Sequence, residues 1–451
     1  MIGCTVEALC AAVGGTLLQA SGAVVTEVST DSRSIPASAL FVPLVGQRFD
    51  GHDYLDAALS SGAAGCLTAK VPTSLLAGKF YIQVSDTLEA LKALAAWYRS
   101  QFHIPVVQVT GSAGKTTTKE MIAAVLGQRF CTLKTQANFN NAIGTPLTLL
   151  NLSQAHQAAV IETGMNHFGE IRYLGEMVHP TVAVVTNVGD AHIENLGGTR
   201  QGILQAKCEI FENLQPGGLA VLNGDDVLLS DLTLPFETVL CGQDARCGVR
   251  ITDVAEHGID GVTCTVTTAQ DVYKVSIPSP GAYMIYPAAM AIAIGEHLGL
   301  THSEMLSGIA AYRPVGSRMH LVRCSENRII IDDCYNANPQ AMAEALRILA
   351  QTEHPRRVAV LGDMGELGEL TEKAHRDTGA LTRALGLDVV IAIGEKARAI
   401  AEANAQALWF PTVADALSAV RAAFTPGAAL LVKASHAMHF TDIVKELEAA
   451  E

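Results

Sequence analysis

Read as a pattern of apolar and polar positions, the chain changes character twice. Its first hundred residues mix short apolar stretches with polar turns. In STDSRSIPASALFVPLVGQRFDGHDYLDAAL, an acidic-basic turn runs into a strand and then a loop, which predicts a small α/β unit. From IPVVQVTGSAGKTTTKEMIAAVL onward, β-branched runs alternate with helix-length segments, and AAVIETG, TVAVVTNVGD and GGLAVLNGDD each end in Gly or Asp. Runs that are apolar throughout and closed by turn residues predict a parallel sheet whose functional loops follow the strands. Near YRPVGSRMH the alternation restarts, and RIIIDDCYNANP, RRVAVLGDMGEL, VVIAIGEK and ALLVKAS predict four strands of a second, Rossmann-like α/β unit. The expected fold is therefore α/β in three domains: a small N-terminal unit over 1–98, a central P-loop parallel-sheet ATPase unit over 99–313, and a C-terminal unit over 314–451.

Composition narrows what such a chain can bind. With 451 residues and a net charge of −14, a non-specific grip on nucleic acid or an anionic membrane is excluded, and any anionic substrate must be held by a local basic pocket. The ten cysteines form no CxxC pair; the nearest, Cys4 with Cys10 and Cys241 with Cys247, lack zinc or redox spacing, so free thiols in a reducing cytosol are expected. The start, MIGCTVEALCAAVGG, carries no basic leader, and the most apolar run, Ala282 to Gly295, contains Pro287 and is short of the roughly 20 residues a bilayer requires. The expectation is a cytoplasmic monomer with no membrane span.

The candidate chemistry starts at VTGSAGKTTTKEM. The common nucleotide loop has two glycines with four residues between them before Lys-Ser/Thr, and here Val109 stands at the first of them. A buried strand still feeds a glycine turn that opens a helix, so backbone N–H groups and the helix dipole point at an anion. Lys115 is placed to reach terminal phosphates and Thr116 to bind Mg²⁺. Glu162 ends the buried strand AAVIE, where an uncompensated carboxylate is costly and a metal ion would resolve it. His192 also follows a strand, where a histidine standing alone reads more simply as a structural hydrogen-bonder. Lys207 in AKCEIF reads, by itself, as a solvated helix lysine.

Taken in order, TGSAGKTTTKE, NFNNAIGTPLTLL, ETGMNHFGEI, TNVGDAHIENLGG, AKCEIF, DDCYNANP and LGDMGELGE resemble the Mur ligase family over nearly the whole chain. TDSR, NNAIGTP, GMNHFGEI, DDCYNANP and GDMGELGE are most similar to the branch that joins D-alanyl-D-alanine to UDP-N-acetylmuramoyl-tripeptide through an acyl phosphate. The shortened loop is that family's own form. The resemblance implies that Gly111, Ser112, Ala113, Gly114, Lys115, Thr116 and Thr117 hold the ATP phosphates. It places Thr116 and Glu162 on one Mg²⁺, and His192 with a carbamylated Lys207 on a second. Arg318 and Asp333 would reach the nucleotide; Ser32 and Arg33 would form a uridine-nucleotide turn; Asn141, Asn336, Asn338, Lys433 and Ser435 would contact substrate.

The chain departs from the family's pattern in two places. Where Gly-x-His-Asn-x-x-Asn is usual, it reads GAYMIYP, with Tyr283, Met284 and Pro287 replacing the polar residues, the last of which commonly helps hold adenine. Where Lys-Gly-Ser-Arg is usual it reads KASH, with Ala434 and His436. Three other readings are weighed against this one: a ligase adding the third peptide residue, a folylpolyglutamate synthase, and an ATP-binding regulatory relative without turnover. DDCYNANP and GDMGELGE argue against the first two, and the set Lys115, Glu162, His192 and Lys207 against the third.

Overall fold

The computed structural model describes residues 3–449, which form three principal sheets and a short two-stranded pairing. The N-terminal sheet orders its strands Thr16–Gln19, Phe80–Gln83, Gly65–Thr68, Ala39–Phe41 and Glu27–Ser29, parallel except for the first pair. The helix Thr87–Arg99 leaves it, capped by Asp86, whose side chain accepts from the amides of Leu88 and Glu89. Its apolar stripe of Ala90, Leu91, Leu94, Ala95 and Tyr98 packs at once on Leu40 and Ile82 of the first sheet and on Val106, Ala159 and Ile161 of the second, joining both in one core.

The central sheet has nine strands, with Val106–Thr110 between Ala158–Glu162 and Val182–Val185. After Val106–Thr110 the chain runs to the edge strand Thr132–Lys134, returns to insert Ala158–Glu162 beside Val106–Thr110, and then crosses to the other side. The strand carrying the glycine turn therefore lies at the topological switch point, where open α/β sheets place their ligand crevice. Buried apolar residues cover both faces: Val107 and Val109 meet the helices Lys115–Leu126 and Ile285–His297, while Ala183 and Val185 meet Arg200–Cys208. The far edge is a meander, Val249–Glu256, Val262–Thr267 and Val272–Ile277, paired antiparallel. The last of these alternates exposed and buried positions, a period of two that the search for continuous apolar runs passes over.

The run from Ala282 to Gly295 becomes a short 3₁₀ turn and the helix Ile285–His297. Pro287 is its third residue, where a missing N–H removes no intrahelical bond. Among the described residues no helix is long and apolar enough to cross a membrane.

The C-terminal sheet runs His320–Cys324, Arg328–Asp332, Ala428–Lys433, Arg356–Gly362, Val389–Ile393 and Leu408–Phe410, parallel except for the first pair. The four expected strands form its middle, and the two additional strands are its edges. The helices Pro339–Ala350 and Thr371–Ala384 cover one face, and Val413–Ala423 and Thr441–Ala449 the other. Tyr283 packs on the cores of both the central and the C-terminal sheets, so a residue that departs from the family pattern serves as an interdomain contact.

Candidate active site

Strand Val106–Thr110 is followed by Gly111, and helix Lys115–Leu126 begins after Gly114, which caps it at φ +76° without a side chain. A Cβ on Gly111 would lie 1.8 Å from Thr186 Oγ1, so only glycine lets the turn pass this neighbouring loop. Thr186 Oγ1 donates to the Ala113 carbonyl at 2.6 Å, and Asn187 accepts from the Ser112 amide at 3.1 Å and from the Ala113 amide at 2.9 Å. Two of the loop's amides are thus already committed, and the anion-facing donors are those of the helix N-terminus, whose first-turn N–H groups have no intrahelical acceptor. Ser112 Oγ and Thr110 Oγ1 are buried with no hydrogen-bond partner among the described residues. The Lys115 ammonium folds back onto the Gly111 carbonyl at 2.9 Å. Burial lowers its pKa, with Arg318 acting in the same direction and Glu162 opposing.

Glu162 is buried, and protein groups answer its charge in addition to any metal ion it would hold. Thr116 Oγ1 donates to Oε2 at 2.8 Å and Asn140 Nδ2 to Oε1 at 2.9 Å. Lys119, 1% exposed, stands 3.8 Å from Oε2 and 3.0 Å from Glu120. Its ammonium donates to the Thr135 carbonyl at 2.6 Å, and Thr135 Oγ1 accepts from the Glu162 amide at 2.9 Å. Sequence reasoning missed Lys119 and Asn140, although both lie in quoted motifs. Asn141, chosen instead, lines the cavity but turns its Oδ1 to the amides of Ile143 and Gly144, starting the next helix.

His192 adopts a left-handed backbone at φ +61°. Burial lowers its pKa; Lys115 and Lys207 add to this, while Glu366 opposes it. Lys207 is 2% exposed, which overturns its reading as a solvated helix lysine. Desolvation first, and Lys115 second, push its pKa well below the usual lysine range. No hydrogen bond or ion pair engages its ammonium among the described residues. The residue is close enough to Lys115 and His192 to be felt by both, yet it carries no compensating anion.

One cavity of about 1250 Å³ gathers most of the expected residues: Ser112 to Thr117, Asn141, Glu162 and His192 from the central unit, and Arg318, Asp333, Asn336, Asn338 and Lys433 from the C-terminal one. Arg318 lies 3.7 Å above the Tyr335 ring, and His436 meets that ring edge-on at 5.6 Å. Asp333 is held by the Met319 amide at 3.1 Å and by the fully buried Lys433 at 2.5 Å, and Lys433 also donates to the Asn336 carbonyl at 2.9 Å. Asn338 caps the helix Pro339–Ala350. Lys433 and Asn338 therefore shape the wall, Lys433 by fixing Asp333 and Asn338 by starting a helix.

Some expected residues stand apart from the cavity. Ser435 accepts from the Gly365 amide at 2.9 Å, pinning a loop, and Ala434 is buried in the C-terminal core. Ser32 and Arg33 are on the surface of the N-terminal unit, where Arg33 pairs with Asp31 at 2.8 Å and its hydrogen bonds hold that carboxyl at about 2.

The donor set can be tested against the groups the sequence implies. The orphaned Ser112 hydroxyl on the cavity wall, a helix N-terminus and a lysine at a glycine turn fit nucleotide phosphates. Thr116 and Glu162 are hard oxygen donors and fit a magnesium ion. Lys207 fits a cation site only once its charge is inverted.

Three family models match in sequence order: the Mur ligase family catalytic domain over residues 24–99, the Mur ligase middle domain over 109–295, and the Mur ligase glutamate ligase domain over 317–436. The UDP-N-acetylmuramoyl-tripeptide–D-alanyl-D-alanine ligase of Bacillus subtilis is 35% identical, covering 99% of each chain. Its Escherichia coli counterpart is 36% identical, over 90% of this chain and 89% of that one. Among solved structures, MurF from Acinetobacter baumannii superimposes with a TM-score of 0.92 at 30% identity over 99% of each chain. MurF from Thermotoga maritima, solved with ADP, gives 0.83 at 27% identity over 94% of this chain and 98% of that one. With the glycine turn, the buried Glu162 and the cleft between the two larger sheets all in place, this chain belongs to the Mur ligase family.

Proposed function

We propose that the protein is an ATP-dependent, ADP-forming ligase that joins D-alanyl-D-alanine to UDP-N-acetylmuramoyl-tripeptide in peptidoglycan precursor synthesis. The observation that carries this reading is the whole-length likeness to ligases of that name, above 30% identity, combined with a cavity lined by the glycine turn and the C-terminal unit. Residues 1–98 would hold the UDP-sugar, 99–313 the ATP, and 314–451 the dipeptide and part of the nucleotide.

An amide does not form from a carboxylate and an amine in water without activation. The tripeptide's terminal carboxylate attacks the γ-phosphorus of ATP, giving an acyl phosphate and ADP. The dipeptide amine then attacks the acyl carbon and phosphate departs, with the amine's proton lost to solvent. Lys115 and the helix N-terminus gather negative charge where three anionic groups converge, so the chain's work is positioning and neutralisation. Mg²⁺ would be held by Thr116 and Glu162 at one position, and by His192 with carbamylated Lys207 at another, and would neutralise charge shared between the phosphates. Lys207 supports that assignment because its buried amine loses its proton readily, and the neutral amine can add CO₂ and release a proton. Arg318 and Asp333 reach the same cavity from the C-terminal unit, so its docking closes the site over the reactive acyl phosphate and excludes water.

The test is chemical trapping. With ATP, UDP-tripeptide and hydroxylamine but no dipeptide, the protein should yield a hydroxamate on the tripeptide's terminal carboxyl. Absence of hydroxamate while ADP still forms would remove the acyl phosphate from the mechanism.

A further inference from the structure

The loop Asp363–Gly368 of the C-terminal unit comes within contact of the segment His192–Glu194 of the central one. Glu366 Oε2 stands 2.7 Å from Nδ1 of His192. Nδ1 is sealed from solvent, and this carboxylate oxygen is what stands against it. A Cβ on Gly368 would lie 3.5 Å from the Glu194 carboxylate, a second close approach between the same two segments. Both residues at the first contact are non-glycine residues in the left-handed region, His192 at φ +61° and Glu366 at φ +58°. Such backbone is costly and persists where surrounding structure imposes it.

Within the C-terminal unit the loop is firmly held. The Met364 amide donates to His375 Nε2 at 3.0 Å, the Gly365 amide to Ser435 Oγ at 2.9 Å, and Asp363 accepts from the Ala397 amide at 2.7 Å. Among the described residues the Glu366 side chain makes no other hydrogen bond or ion pair, and it is 66% exposed, while the ring it meets is 27% exposed. A strained, charged residue has been brought to a histidine of another unit by a loop tied down over the three residues before it.

We infer that Glu366 is a positioning residue: it turns the His192 ring so that Nδ1–H faces the carboxylate and Nε2 is left for a divalent cation. Metal-binding histidines commonly give their second ring nitrogen to a carboxylate, which fixes tautomer and orientation and makes the ligand more basic. Here that carboxylate comes from the other side of the cleft. The cation position at His192 is complete only when the C-terminal unit is docked, which couples domain closure to metal occupancy. This rests on the reading of His192 as a cation ligand.

The experiment uses the full-length protein with ADP and titrates Mn²⁺ by electron paramagnetic resonance, in the wild type and in Glu366→Ala, Glu366→Gln and His192→Ala. Because position 366 is exposed and both replacements keep a Cβ, the thermal midpoints should match the wild type. Glu366→Ala should weaken one class of Mn²⁺ by about 10- to 100-fold and leave any other class unchanged. Glu366→Gln, whose amide oxygen can still accept from Nδ1–H, should recover most of the loss. Unchanged Mn²⁺ binding in Glu366→Ala, with one class lost in His192→Ala, overturns the role of Glu366 and leaves the His192 reading standing. Unchanged binding in His192→Ala removes that reading and the inference with it.

Discussion

Replacing Lys119 by methionine removes a fully buried cation beneath the glycine turn. Its ammonium touches Glu120 at 3.0 Å and the Thr135 carbonyl at 2.6 Å, and lies 3.8 Å from Glu162. Breaking a buried pair from one side costs about 3–5 kcal/mol, because the remaining charge is left in low dielectric. Two features place this case near the lower end. Glu120 keeps an ion pair with the half-exposed Lys134, and Glu162 keeps its hydrogen bonds from Thr116 and Asn140. The expected loss is about 3 kcal/mol, a factor of roughly 100 in the local opening equilibrium.

Both tryptophans, Trp97 and Trp409, lie outside the helix Lys115–Leu126, so the readout is amide hydrogen exchange across that helix by mass spectrometry. The double variant Lys119→Met/Glu120→Leu removes one of the stranded carboxylates and should be less destabilised than Lys119→Met alone, since a pair replaced by apolar groups is often nearly neutral. Exchange in Lys119→Met within about 0.5 kcal/mol of the wild type would refute the view that this ammonium compensates the carboxylates, because surface substitutions produce effects of that size.

Other expectations follow from the same geometry. Lys115→Ala should stay folded, by circular dichroism, and lose at least ~100-fold in turnover, as removal of a charge-stabilising donor does. Lys207→Ala should be nearly inactive and partly restored by acetate, while a crystal grown with carbonate should show extra density on the Lys207 nitrogen; a fully active variant would return the residue to a packing role. In CO₂-free buffer Lys207→Met should stabilise the protein at neutral pH. The amine's folded pKa is depressed, so between that value and about 10.4 the unfolded chain binds the extra proton and wild-type stability rises with pH. The advantage of methionine should therefore shrink as denaturation is followed toward pH 10. If Pro287 has replaced an adenine-holding asparagine, loss of one polar contact worth about 1–3 kcal/mol should let GTP compete better than in relatives that keep it, measured as the ratio of kcat/KM values.

The glycine turn was legible in the sequence because its chemistry is local: a buried strand, a short turn and a helix start are contiguous, and the φ +76° of Gly114 is written in the residue itself. The alternating runs likewise conveyed two parallel sheets, since strands buried on both faces leave an unbroken apolar signature. Properties that depend on distant chain were not legible. Lys207 sits on a helix of mixed polarity, and only packing against residues far along the chain reveals that it is buried. Asn140 and Asn141 are adjacent and chemically identical, so which one faces Glu162 and which starts a helix was decided by backbone direction. Ser435 was expected at the substrate from its place in KASH, and only the fold shows that its hydroxyl accepts from the Gly365 amide of a loop far away in the chain. The contact between Glu366 and His192 spans two units and leaves no trace in either local pattern.

The most direct test is to incubate the purified protein with ATP and Mg²⁺ and follow phosphate release while UDP-N-acetylmuramoyl-tripeptide and D-alanyl-D-alanine are added singly and together, with the product weighed by mass spectrometry. Sustained release should require both, and the product mass should equal the sum of the two substrates less one water. Sustained release with a single amino acid in place of the dipeptide, or ATP binding with no turnover under any combination, would contradict the assignment.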